Sequence, residues 1–152
     1  MSLSHKKQKI LIVDDDPVTV LLLSELLRTE HELHVASNGT KALELAIAEN
    51  VDLILLDIML PDTDGFTICR NLKDNENTAA IPVIFLSAKV ETDDEVRGLE
   101  AGAVDYITKP ISAPKIIARV KTHLELKRYR DLLEDLSNID GLTGIANRRR
   151  FD

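Results

Sequence analysis

The chain has 152 residues, of which 44% are hydrophobic and 30% charged, and this predicts one compact domain with at most a short appendage. Its formal charge of −7 argues against general nucleic-acid binding, because neutralising phosphates requires a basic surface. Its one cysteine, Cys69, excludes an internal disulfide and fits a reducing compartment.

No apolar run approaches the roughly 20 residues that a membrane-spanning helix needs. The basic N-terminus has no apolar segment behind it, because residues 10–13 are followed at once by three aspartates, so it is not a signal peptide. We therefore expect a cytoplasmic protein that binds neither membranes nor nucleic acids. Residues 1–8 are expected to be a disordered N-terminal segment.

Five short apolar runs alternate with segments of helical spacing along the chain. The runs cover residues 9–13, 32–36, 51–56, 82–86 and 103–107. Strands alternating with helices of this length predict βαβ units and a parallel sheet. The third run is apolar almost throughout, as a central strand covered on both faces must be, whereas the charged start of the second suits an edge strand.

Local signals predict where several helices begin and end. Asp16 before Pro17 predicts an N-cap followed by proline at the first helical position, and Gly102 is expected to end the fourth helix. Two further stretches, Ser37-Asn38-Gly39 and Thr92-Asp93-Asp94, mark the starts of the second and fourth helices. The buried faces are predicted to comprise Val18, Leu22 and Leu26 in the first helix, and Ala42, Leu45 and Ala46 in the second.

After Pro114 the sequence predicts one long helix with two apolar stripes. The first stripe, which would pack on the sheet, comprises Ile116, Ile117, Val120 and Leu124. The second has the 3-4-3 spacing of a heptad seam and comprises Leu126, Tyr129, Leu133 and Leu136. Because the two stripes differ in phase, we expect the helix to leave its domain near residue 124 and to continue as a coiled-coil linker over residues 125–139. The chain is expected to form a homodimer through its receiver face, through the helix 115–139, or through both. The alternative is a solitary amphipathic helix folded back on the domain.

Acidic residues follow two of the predicted strands. Asp14, Asp15 and Asp16 come directly after the first strand, and Asp57 ends the third. If these strands are neighbours, Asp14, Asp15 and Asp57 converge at the carboxyl edge of the sheet. Carboxylates this close repel one another unless a cation lies among them, and an all-oxygen ligand set favours Mg²⁺ or Mn²⁺. The alternative is an acidic helix-capping turn with an unrelated loop aspartate.

Ser87 and Lys109 end the fourth and fifth predicted strands, at the same edge. Together with the carboxylates and a cation, they predict a phosphoryl-transfer site. In this interpretation Asp57 is the nucleophile that forms an acyl phosphate, Asp15 and Asp14 hold the metal, and Lys109 and Ser87 bind phosphoryl oxygens.

Residues 9–124 resemble the receiver domain of bacterial two-component response regulators. The matching motifs are LIVDDDP at 11–17, LLDIMLPDTDG at 55–65, PVIFLSA at 82–88 and GAVDYITKP at 102–110. The resemblance implies a flavodoxin-like α/β fold, with a five-stranded parallel sheet in the order 2-1-3-4-5, helices on both faces and an extended C-terminal helix.

The resemblance also implies the roles of individual residues. A histidine kinase would phosphorylate Asp57, with Mg²⁺ bound by Asp15, Asp57 and the backbone carbonyl of Met59. Ser87 and Tyr106 would form the switch, and the Lys109–Pro110 bond would be cis.

Two other functional classes fit the sequence less well. A phosphatase resembling the haloacid dehalogenase family needs an acid/base aspartate two residues after the nucleophile, and Met59 stands there. An interaction module without phosphorylation would not need Asp57, Lys109 and Ser87 together.

Residues 140–152 resemble the opening segment of GGDEF domains. The matching residues are Asp140, Leu142, Thr143, Gly144, Ile145, Asn147, Arg148 and Arg149. This implies a truncated output domain, so the chain itself is expected not to be an enzyme, whereas the parent protein would be a diguanylate cyclase that uses GTP. The alternative is a basic, disordered tail on a stand-alone or relay receiver that acts through protein–protein interaction.

Overall fold

The computed structural model describes residues 7–88 and 92–140, apart from the side chains of 92–95 and 137–140. The GGDEF-like residues after Asp140 and the first six residues therefore lie outside the described part of the chain. Strands and helices alternate throughout: β1 (Lys9–Val13), α1 (Pro17–Leu27), β2 (Glu32–Ala36), α2 (Gly39–Glu49), β3 (Leu53–Asp57), α3 (Gly65–Asp74), β4 (Val83–Ser87), α4 (Thr92–Glu100), β5 (Asp105–Thr108) and α5 (Ala113–Asp140).

The strands form one parallel sheet in the order β2-β1-β3-β4-β5, which confirms the expected fold. Strand β3 is buried along its whole length, whereas the edge strand β2 begins with an exposed glutamate. The register sets Val13 beside Leu56 and Asp57 beside Leu86, so the ends of β1, β3 and β4 share one edge of the sheet.

Two apolar layers cover the faces of the sheet. Because side chains alternate along a strand, Leu11 and Val13 face α2 and α3 on one side, while Ile10 and Ile12 face α1 and α5 on the other. Burying each of these aliphatic side chains contributes about 1.5–3 kcal/mol to the hydrophobic term in folding.

Helix α1 buries a different face from the predicted one. Thr19, Leu23 and Leu27 are buried, whereas Val18 is 72% exposed and Leu22 39% exposed. The helix is apolar on nearly all sides. The predicted set of residues spaced four apart and the set one position further along therefore fit the sequence equally well as the buried face. The cap fixes the start of the helix as predicted: Asp16 accepts hydrogen bonds from Val18 N at 3.0 Å and from Thr19 Oγ1 at 3.0 Å.

Helix α5 packs on the sheet through Ile116, Val120 and Leu124, which are at most 2% exposed, whereas Ile117 is 43% exposed and was wrongly assigned to the buried stripe. Beyond Leu124 the contacts with the domain are polar. Lys127 Nζ lies 3.5 Å from Asp52 Oδ1, and Arg130 Nη2 donates to the carbonyl of Ala80 at 3.4 Å. The four residues of the second stripe are all more than half exposed.

An acidic residue at the start of β5 connects that strand to α5. Asp105 accepts a hydrogen bond from Arg119 Nη1 at 2.6 Å through one carboxylate oxygen, and its other oxygen lies 2.9 Å from His123 Nε2. Two successive turns of α5 are thus attached to the residue that precedes Tyr106.

No helix in the described part of the chain combines the length and apolar character needed to cross a membrane.

Candidate functional site

The turn after β1 brings two carboxylates to the carboxyl edge of the sheet. Asp14 is 1% exposed, and its Oδ1 accepts a hydrogen bond from Asp16 N at 2.9 Å. Asp15 is exposed, on the solvent side of the turn. The same short turn therefore supplies one buried and one accessible carboxylate.

Asp57 is the last residue of β3 and is 7% exposed. Its Oδ1 accepts a long hydrogen bond, 3.4 Å, from Met59 N. The start of α3 approaches its backbone closely, since a Cβ built on Gly65 would lie 2.5 Å from the carbonyl oxygen of Asp57. A glycine at this position is what allows α3 to begin directly against the end of β3.

Lys109, in the segment after β5, places a cation among these carboxylates. Its Nζ lies 2.8 Å from Asp14 Oδ2 and 3.5 Å from Asp57 Oδ2. Lys109 therefore forms an ion pair with each of these carboxylates. The Lys109–Pro110 peptide bond is cis, as the resemblance implied.

The charged groups at this edge of the sheet shift one another's pKa values. Burial raises the pKa of Asp57 to about 6, and the neighbouring Asp14 carboxylate adds to this effect, while Lys109 opposes it. Burial acts to lower the pKa of Lys109, but hydrogen bonding and attraction to Asp14 and Asp57 outweigh it and raise that pKa. Asp57 is thus a carboxylate that carries its charge at a cost in free energy.

The donor set suits a hard divalent cation. One carboxylate oxygen from each of Asp14, Asp15 and Asp57 lies within 4.8 Å of the others. Oxygen ligands with one solvent-facing member match Mg²⁺, which binds few protein groups and keeps several waters.

The other predicted residues lie around this edge. Ser87 ends β4, is 7% exposed, and pairs in register with Thr108. Tyr106 is half-buried on β5, with its ring centroid 6.3 Å from that of Phe85. Met59 lies two residues after Asp57, and its side chain points into solvent, with the residue 75% exposed.

Two polar contacts near the sheet were not predicted from the sequence. Asp62, in the loop after β3, bonds to the start of α2, although nothing in the local pattern connects segments more than 20 residues apart. His34 lies 2.7 Å from Glu32 Oε2, and its side chain is only 22% exposed. Glu32 and His34 are two residues apart on β2 and so lie on the same face of the strand. This spacing was the only sequence signal for their contact.

Comparison with known proteins agrees with this geometry. The profile of the response regulator receiver domain matches residues 10–121. The chain belongs to this family. A receiver domain protein (CheY-like) from Methanospirillum hungatei has a solved structure with a TM-score of 0.76 and 26% identity, and the match covers 82% of this chain and 99% of that one.

Two curated relatives of this receiver domain are longer proteins. A probable cyclic di-GMP phosphodiesterase of Vibrio cholerae is 44% identical over 124 residues, and the response regulator PleD of Caulobacter vibrioides is 42% identical over 129 residues. These matches cover 82% and 84% of this chain. The receiver domain spans only about 28% of the length of either relative.

Proposed function

We propose that this receiver domain is a phosphoacceptor, phosphorylated on Asp57 by a histidine kinase in the presence of Mg²⁺. The observation that carries the proposal is the setting of Asp57, a buried carboxylate of raised pKa beside the Lys109 ammonium and two further carboxylates. Membership of the receiver family supports it.

The transfer proceeds by attack of an Asp57 carboxylate oxygen on the phosphorus of a phosphohistidine. A P–O bond forms to Asp57 and the P–N bond breaks, with its electron pair remaining on the imidazole nitrogen, which takes a proton from solvent. The product is an acyl phosphate on Asp57. A carboxylate with a pKa of about 6 is largely ionised at neutral pH and is therefore available as the nucleophile.

The neighbouring groups have separate roles. Asp15, Asp57 and the backbone carbonyl of Met59 would hold Mg²⁺, with Asp14 supporting them. When bound, Mg²⁺ neutralises the charge gathered by the carboxylates and the phosphoryl group. Lys109 binds a phosphoryl oxygen, and its ammonium already lies 3.5 Å from Asp57.

Phosphorylation acts on Ser87 and Tyr106 as a switch. A phosphoryl oxygen accepts a hydrogen bond from the Ser87 hydroxyl, and the movement of Ser87 gives Tyr106 room to turn inward. Because Tyr106 packs near Phe85, its rotation changes the face formed by α4, β5 and α5. The change is a shift in population between two packings of one fold.

The output that this receiver controls is a GGDEF diguanylate cyclase domain, whose opening segment is residues 140–152. The receiver covers 9–124, and the linker 125–139 pairs with a second copy as a coiled coil. Support comes from the sequence pattern and from the similarity to PleD and to a probable cyclic di-GMP phosphodiesterase. A stand-alone or relay receiver is the alternative, and the sequence of the parent gene after Asp152 distinguishes them. A cytoplasmic location fits the free, buried Cys69.

The direct test is the intact mass of the chain after incubation with acetyl phosphate and Mg²⁺. The wild type should gain one phosphoryl group, while Asp57→Asn, or omission of Mg²⁺, should abolish the gain. Asp52→Asn is a matched control, because it removes a carboxylate near the start of β3, at the opposite edge of the sheet, and should leave the adduct intact.

Phosphorylation that survives Asp57→Asn would place the acceptor elsewhere. A wild type that shows no adduct even in rapid-quench samples would favour a receiver that acts only through protein–protein contact.

A further inference from the structure

The loop between β3 and α3, residues 58–64, is attached to the start of α2 by Asp62. The Oδ1 atom of Asp62 accepts a hydrogen bond from Gly39 N at 2.8 Å. Its Oδ2 accepts from Thr40 N at 3.2 Å and from Thr40 Oγ1 at 3.2 Å. These bonds join segments 22 and 23 residues apart in the chain, and they lower the pKa of Asp62.

Backbone hydrogen bonds and one β-bridge connect the two sides of this loop to each other. Leu60 N donates to Thr63 O at 3.1 Å, Gly65 N donates to Ile58 O at 2.6 Å, and Met59 pairs with Asp64 in an antiparallel bridge. These contacts fix the shape of the loop. They do not fix its position relative to α2, which is the part that Asp62 determines.

Tight packing accompanies the hydrogen bonds. A Cβ built on Gly39 would lie 2.6 Å from the methyl group of Thr63 and 2.6 Å from Ile68 Cδ1. The first residue of α2 therefore sits directly against the loop and α3. Both the carboxylate of Asp62 and the absence of a side chain at Gly39 keep these segments together.

The loop begins at the candidate metal site. Met59 N donates to Asp57 Oδ1, so displacement of the loop moves a residue that contacts the phosphoacceptor. Mg²⁺ requires near-ideal octahedral geometry, and groups that orient its ligands affect its affinity even though they do not touch it.

We propose that Asp62 is a positioning residue, which holds the Met59 backbone in place for Mg²⁺ by attaching the β3–α3 loop to the N-terminus of α2. The inference rests on the proposed function, because it concerns the same metal site. Asp62 is not a ligand in this proposal and acts only through the loop.

The test compares three variants by Mg²⁺ titration of the unphosphorylated chain. Asp62→Ala removes all three bonds and should weaken the Mg²⁺ affinity about tenfold, the low end of the effect of groups that orient metal ligands. Asp62→Asn keeps an oxygen that can accept from Gly39 N but loses the second acceptor, so its affinity should be intermediate. Hydrogen exchange of the Met59 and Leu60 amides in metal-free protein should be faster in Asp62→Ala than in the wild type.

Asn38→Ala is the matched control. Asn38 caps the same helix by accepting from Lys41 N at 2.8 Å, and it does not bridge to the loop in this way. Its removal should destabilise α2 while leaving the Mg²⁺ affinity within twofold of wild type. Melting temperatures of all the variants set a titration temperature at which each is folded.

Three outcomes would overturn the inference. Wild-type affinity in Asp62→Ala would show that the loop holds its position without the attachment. An equal loss in Asn38→Ala would assign the effect to α2 in general. A wild type that binds no Mg²⁺ at millimolar concentration would remove the proposed metal site itself, and the inference with it.

Discussion

Asp57 combines two opposing requirements in one residue. As the proposed nucleophile it must be ionised, yet burial and the Asp14 carboxylate raise its pKa to about 6. Lys109 offsets part of that cost from 3.5 Å away. The metal-free protein therefore holds a charge that its fold does not fully compensate, and the proposed Mg²⁺ would offset that charge.

Replacing this carboxylate should stabilise the metal-free protein at neutral pH. The raised pKa gives the wild type a contribution to stability that is complete below the unfolded value of 3.8 and is lost as the pH rises through about 6. Asp57→Asn avoids this loss, so at pH 7 it should be more stable by ~1–3 kcal/mol.

Urea unfolding at pH 4, 5.5 and 7 without Mg²⁺ measures this difference. The advantage of Asp57→Asn should shrink as the pH falls, and Mg²⁺ should stabilise the wild type more than the variant. An advantage that grows on acidification would contradict the assignment of the raised pKa to Asp57.

The sequence could predict the convergence of Asp14, Asp15, Asp57 and Lys109 because all four follow parallel strands at one edge. It could not predict the role of Asp62, a loop residue whose partners lie at the start of α2. A rule based on strand ends identifies side chains that the sheet itself aligns. Contacts between loops depend on packing that no local pattern encodes.

At the level of elements, the helices were predicted well where only one face is apolar. Ala42 and Ala46 on α2 are buried as expected. Helix α1 was assigned the wrong face because leucine and valine surround it, and its orientation follows from the Asp16 cap and the sheet beneath it. In α5 no local pattern distinguishes Ile116 from Ile117, although only Ile116 is buried.

The two apolar stripes of α5 should differ sharply in their effect on stability. Leu124 is 2% exposed against the sheet, whereas Leu126 is 52% exposed. Leu124→Ala should cost ~2–5 kcal/mol of unfolding free energy, while Leu126→Ala should change it by less than about 0.5 kcal/mol.

Chemical denaturation of both variants at a protein concentration low enough to keep them monomeric tests this contrast. Similar losses in the two variants would mean that α5 packs in a different phase from the one described here.

In the whole molecule, the candidate site lies at the carboxyl edge of the sheet. The exposed apolar stripe lies in the C-terminal half of α5. More than half of the surface is exposed at each of Leu126, Tyr129, Leu133 and Leu136. Their heptad spacing favours burial against a second copy of the same helix, which accords with the dimeric linker proposed above.

The dimer should therefore depend on the seam rather than on the charged residues beside it. Leu133→Ala should weaken self-association at least about tenfold, since each dimer would lose two buried leucines from one layer of the seam. Glu134→Ala, one position along, should leave it nearly unchanged. Sedimentation equilibrium from 5 to 500 µM measures both, and a wild type that is monomeric throughout would exclude this interface.

The attachment of α5 to Asp105 makes the helix a lever. Its 28 residues form a rod about 42 Å long, at 1.5 Å per residue. Asp105 holds Arg119 and His123. Lys127 and Arg130 make the last polar contacts with the domain in the described part of the chain, so some 10 residues, or about 15 Å, extend beyond Arg130. A tilt of about 5° would move the far end of such a rod by about 1.3 Å. A rearrangement around Tyr106 too small to disturb the sheet would thus reach the end of the helix as a displacement of its side chains.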